Sequence, residues 1–356
     1  MLSTTRKVLA TVVAIMFILV SIPVLFVIPA ETILFQPQPY IRALQNQNFY
    51  QNMPSWLAGV TVNSGNSLLG KTQSKELSGL GQQGYQNIFS VLMPQDWIKL
   101  QTDNLITNLF DYLNFKQNTL NLDVDLRELK TRFSGAQGQV ISKEIVSSWP
   151  ACSMQQLLVI ITQLGAGSSL ANLPLCQPPQ MYLPLTYQLV QMTLSGFTGA
   201  LPDHMNLISL AGIGPTGDPT QSAAWQQTFQ YYRLLRLGLR FSPILSIVLL
   251  LLLAIITFRS ARTGLNWLGI SILITGILGI VSAVILYLTG TLIIQQIVTA
   301  VFGSPQGGLT DGLIKAVAEV AERFYLWSAG IALIACIIGL IVYLISRLYP
   351  EPVRSY

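Results

Sequence analysis

"LNWLGISILITGILGIVSAVILYLTGTLII", residues 265–294, runs for thirty residues without an aspartate, glutamate, lysine, arginine or histidine. Crossing about 30 Å of hydrocarbon takes roughly 20 helical residues, so this stretch predicts a membrane span. Three other stretches read the same way: Val8 to Ala30, Phe241 to Phe258 and Tyr325 to Ser346. The composition agrees, with apolar residues at 51% and charged residues at 10%, far below the quarter found in soluble domains. Arg6 and Lys7 precede the first stretch as they would in a signal peptide. Its apolar core is too long for one, however, and "VIPAET" has no cleavage pattern, so it predicts an uncleaved anchor, kinked at Pro23.

The four spans contain no ionisable side chain of these types, which argues against pumps, proton-coupled carriers and voltage sensors. Lysine and arginine near the span ends tie in number, six against six, but they differ in density. Arg6, Lys7, Arg259, Arg262, Arg347 and Arg354 sit in short segments with one acidic residue, Glu351. The other side carries its cations in longer segments interspersed with acids, which cross largely regardless of charge. Both termini are therefore expected in the cytoplasm of a multi-pass plasma membrane protein. The formal charge of +5 resides on those short ends, which leaves no basic patch for nucleic acid.

Cys152 and Cys176 fall in the long loop between the first two spans. A disulfide closing about two dozen residues is worth roughly 3 kcal/mol and persists only in an oxidising compartment. The pair thus gives an independent reason to place the loop outside. Cys336 lies within the fourth span and reads as a packing residue.

The expected fold is mainly α: a four-span helix bundle with a large, mostly helical (α+β) extracytoplasmic domain between spans 1 and 2. The boundaries are 1–30 for the N-terminus and anchor, 31–240 for the domain and 241–356 for the three-span part with a short tail. Within the domain, "QPYIRALQNQNFYQNMPSWLAG" reads as one amphipathic helix ending near Pro54, followed by a loop at "VNSGNSLLGKTQS". "PQDWIKLQTDNLITNLFDYLNF" is a helix with Ile98, Leu105, Leu109 and Tyr112 on one face. "TLNLDVDLRELKTRF" alternates as a strand until Asp125 caps a helix through Leu126, Leu129 and Phe133, and "HMNLISL" at 204–210 is its candidate partner strand. A helix is expected from Pro219 into the second span. Another from Asp311 leads into the fourth, with Leu313, Ile314, Val317, Ala321 and Phe324 on one stripe and Lys315, Glu319 and Glu322 facing away.

No catalytic constellation emerges, and no cofactor is implied. Asp123 and Asp125 share a strand face, but no other carboxylates surround them to complete a hard-cation site. His204 is the single histidine, and it points away from neighbouring Asp203 on an extended chain, which gives no triad and no multi-histidine metal site. The glycine-rich "GIGPTGD" and "GSPQGG" lack a phosphate-loop lysine and read as turns.

Three features point to contacts. Arg233, Arg236 and Arg240 recur on one helix face beside Tyr231 and Tyr232, suited to lipid headgroups or an acidic partner. Thr275, Gly279 and Ala283 in the third span, and Ser328, Ala332 and Cys336 in the fourth, have the small-residue spacing of close helix packing. Ser271, Thr275, Ser282 and Thr289 give the third span a hydroxyl-bearing face, the one support for an oligomeric channel or transporter of a small solute. Four spans and a cysteine-bearing first outer loop resemble the layout of claudin-like proteins. The loop is much longer here and that family's Gly-Leu-Trp motif is absent, so the likeness is of layout alone. The reading is a non-enzymatic cell-envelope membrane protein whose outer domain binds or organises a partner, with membrane lipids and a membrane protein or a second copy as the candidates.

Overall fold

The computed structural model describes residues 4–63, 80–164, 174–207, 219–258, 260–302 and 308–349. The loop expected at 62–74, the glycine-rich stretches at 212–218 and 303–307, and cations Arg259 and Arg354 lie wholly or mostly outside them.

Four helices are long and apolar enough to cross a membrane. The first, α1 (Thr4–Pro29), passes through Pro23 as one helix and then widens into a π-turn at Ala30–Leu34, directly after Pro29. A proline brings no N–H to the helical ladder, and the wider turn is one way the backbone accommodates that loss. The other three long helices close the chain. They follow, in chain order, the short elements α2 (Pro37–Asn46), α3 (Phe49–Asn63), α4 (Gln82–Leu92), α5 (Gln95–Leu113), β1 (Asp123–Asp125), α6 (Arg127–Ser134), α7 (Ala136–Ser147), α8 (Met154–Leu164), α9 (Leu183–Ala200) and β2 (His204–Asn206). Then come α10 (Pro219–Thr257), α11 (Ala261–Phe302) and α12 (Gly308–Leu348). Helices of 39, 42 and 41 residues measure about 60 Å each, twice the hydrocarbon thickness. Each therefore continues well beyond the apolar layer.

The short elements surround two cores. One joins the end of α1 to α2, α3, α5 and the N-terminal part of α12, through residues such as Ile33, Leu44, Tyr50, Ile98 and Val320. The other lies among α3, α4, α7 and α9, centred on Ile88, Ile141 and Val146. Between α6 and α7 the chain turns so tightly that a Cβ on Gly138 would overlap the carbonyl of Phe133. β1 and β2 pair antiparallel, with Val124 opposite Met205 and Asp125 opposite His204, the ribbon expected from the alternating pattern. Asp125 holds the first amide of α6, accepting from Arg127 N–H at 2.9 Å.

Three expectations need correction. The segment 37–63 is two helices: the break falls at Asn48, whose φ of 51° is left-handed, a conformation asparagine tolerates. Pro54 sits inside α3, which continues to Asn63 because Tyr50 and Ala58 anchor it in the two cores. On α5 the buried line runs through Ile98 and Phe110, with Trp97 and Ile106 beside it; Leu105 and Leu109 are only half-buried. On α12, Glu319 does not face away. It accepts hydrogen bonds from Asn46 (2.7 Å), Gln47 (3.3 Å) and Arg323 (2.8 Å), tying the end of α2 to α12.

Candidate functional site

The N-terminal part of α10 carries the three arginines, and the structure separates them. Arg236 is turned inward with its side chain only 10% exposed, and it forms an ion pair with Glu31 on the π-turn at 3.0 Å. It also donates to the Leu113 carbonyl at the end of α5 (3.3 Å), and its guanidinium lies 4.4 Å from the centre of the Phe35 ring. Arg233, one turn further out, stacks over Phe115 at 4.3 Å and Tyr112 at 5.4 Å. Phe115 is held there in a left-handed backbone conformation, φ 62°. Among the described residues, Arg233 Nε and Asn114 Oδ1 are both buried without a hydrogen-bond partner. Tyr232 meets Phe35 edge-on, while Tyr231 and Arg240 are exposed. On the facing side, burial and the nearby Tyr232 push the Tyr40 hydroxyl up to about 12, and it donates to the Leu34 carbonyl.

The disulfide pair is joined, Cys152 to Cys176. Backbone bonds brace it: Gln177 N–H donates to Pro150 O (2.8 Å) and Cys152 N–H to Gln177 O (3.0 Å). This clamp holds the base of α8, whose Met154 (77% exposed), Leu158 and Val159 face outward. Met181, Leu185 and Met192, which follow the clamp in sequence, are exposed as well. From Ile145 to Pro202 the chain has 58 residues without Asp, Glu, Lys, Arg or His. That run is the signal by which sequence reasoning could have found this face and did not.

The ribbon carboxylates are engaged locally. Asp125 takes a forked pair of bonds from Arg127, at 3.0 and 2.6 Å, which holds its carboxyl well below the usual range. Asp203 pairs with Lys130 at 2.6 Å. Among the described residues, no group of three or more His, Cys, Asp or Glu gathers as metal ligands would.

Thr275, Gly279, Ala283, Ser328 and Ala332 are all at buried contacts of α11 or α12; a Cβ on Gly279 would come 2.6 Å from Leu25 and 3.0 Å from Ala332. The closest backbone approaches lie elsewhere, at Gly269 and Gly276 on α11 and Gly339 on α12. A Cβ on Gly276 would stand 2.5 Å from Cys336 N. Gly269, Gly276, Ala283 and Gly290 are seven apart, a heptad seam rather than a four-residue one. Of the hydroxyl-bearing face, Thr275 and Thr289 donate back to their own helix, to Ser271 O and Ile285 O. Beyond Gly290 a cleft of about 640 Å³ opens between α11 and α12, lined in part by Tyr287, Tyr325, Lys315 and Glu322.

Comparison with protein-family models, with curated proteins and with solved structures returns no match.

Proposed function

We propose that this is a non-enzymatic integral membrane protein of the cell envelope. In this reading both termini lie in the cytoplasm, and residues 31–240 form an α+β domain outside the plasma membrane. That domain binds a protein partner through the apolar face of α8 and α9. The protein then serves as an accessory, assembly or sensing subunit.

The observation that carries this reading is the exposed set Met154, Leu158, Met181 and Met192 in a region without charge. Large apolar side chains exposed to water favour a partner over solvation, and methionine adapts to varied partner surfaces. The disulfide at the base of α8 favours the oxidising side of the membrane. The chain's net charge of +5 sits in the short segments assigned to the cytoplasm, in keeping with that orientation.

The test is a photo-reactive residue at Leu158 in the full chain, expressed in its native membrane, with a second probe at the exposed, charged-face position Lys143. A discrete crosslinked product from Leu158 and none from Lys143, together with a native mass above that of the chain alone, is the expected result. A monomeric mass with no specific product at Leu158 would end this reading. The channel reading would return if reconstituted protein conducts and the combined Ser271→Ala, Thr275→Val, Ser282→Ala and Thr289→Val variant does not.

A further inference from the structure

We propose that Arg233, supported by Arg240, holds the phosphate of an anionic phospholipid at the mouth of the second apolar helix. The argument begins with charge. Four cations gather here, Arg233, Arg236, Arg240 and Lys116, against two carboxylates, Glu31 and Asp111. Both carboxylates are occupied: Glu31 by Arg236 at 3.0 Å and Asp111 by Lys116 at 2.9 Å. Arg233 and Arg240 are left without an acidic partner among the described residues.

Geometry sharpens the point. Stacking on Phe115 and Tyr112 covers the flat face of the Arg233 guanidinium, and it leaves the in-plane N–H groups at the edge of the stack. Those edge donors are the ones that grip a phosphate in a fork. Among the described residues, Nε has no hydrogen bond in a buried position, and a polar group left unmet there is destabilising. A water between Nε and the equally unbonded Asn114 Oδ1 would satisfy both hydrogen bonds yet leave the positive charge unmatched. An oxyanion accepts from Nε and also meets the charge, leaving Asn114 Oδ1 to a water.

Depth selects the source. Arg240 immediately precedes the apolar run from Phe241, which sets its head at the level of lipid headgroups. Arg233 lies two turns further out, about 10 Å along the axis. Arg236, between them in sequence, is already neutralised and takes no part. A phosphate ion free in solution offers the same chemistry, so the experiment needs an arm for each source.

Full-length protein in a neutral detergent is mixed with phosphatidylglycerol or phosphatidylcholine, and retained lipid is counted by native mass spectrometry. Wild type is expected to retain phosphatidylglycerol preferentially, and Arg233→Gln and Arg240→Gln each to weaken that retention about fivefold. Arg240 is exposed, so its variant tests the site without risk to folding. Equal retention of both lipids by wild type and by both variants overturns the lipid assignment. In the second arm, inorganic phosphate is compared with chloride at equal ionic strength by thermal unfolding in lipid-free detergent. Stabilisation of wild type but not of Arg233→Gln, without a lipid preference, assigns the site to free phosphate. No effect in either arm overturns the proposal altogether.

Discussion

Two helix pairs in this bundle are held by different means. α11 and α12 meet over the longest interface in the molecule, backbone against backbone, with Gly269, Gly276 and Gly339 at points where no side chain fits. α1 and α10 pack around Ala10, Ala14 and Leu253 and are tied by two polar contacts, Ser21 to Ser246 and Glu31 to Arg236. The two ties lie ten residues apart on each helix, running in opposite directions. In lipid there is little hydrophobic drive to bring helices together, so association must come from dispersion at short range or from polar bonds. Each pair uses one of these.

The contrast can be broken most severely at the glycines. Gly276→Leu would force the α11 and α12 backbones apart, an expected loss of about 3 kcal/mol in a detergent unfolding titration. Gly330→Leu, on the partner helix α12, has open space around it and should leave the midpoint unchanged. If both variants behave alike, close approach is not what holds this pair. For the second pair, Arg236→Gln leaves Glu31 without its cation, and about 2 kcal/mol is expected in the same titration, since the pair is only partly buried. The serine tie should be weaker: a double-mutant cycle of Ser21→Ala and Ser246→Ala is expected to give a coupling of about 0.6 kcal/mol.

The smallest effect is a pH dependence where α2 meets the π-turn that bears Glu31. Burial raises the Tyr40 pKa from 10.0 to about 12, so folding favours the neutral hydroxyl. That contribution is whole below pH 10 and fades as pH climbs from 10 through 12. Thermal unfolding across this range should show a decline that Tyr40→Phe reduces. An unchanged decline would mean that other groups govern the alkaline limb.

The four long helices were legible because a run of twenty or more residues without charge admits few other readings. The β1–β2 ribbon and the bonded cysteines were legible for a related reason, a local pattern tied to one physical demand. What failed shares a cause too. Periodicity puts Glu319 on a face of α12 but does not say that Asn46 and Gln47 cover that face from 272 or more residues away. The arginine stripe was visible, yet the partner that removes Arg236 from it, Glu31, lies 205 residues earlier. The glycine seam was missed because small residues were sought four apart and the close approaches recur every seven.

The unbroken length of α12 carries a mechanical consequence. Its outer end is gripped by α2 and α3, its inner part is locked to α11, and no proline interrupts its 41 residues. A rod of about 60 Å that pivots by about 5° around its midpoint moves its two ends by about 3 Å in opposite directions. A force that shifts the α2–α3 core sideways is thereby expected to reach the opposite end of α12, as a lever delivers it, and to carry α11 with it.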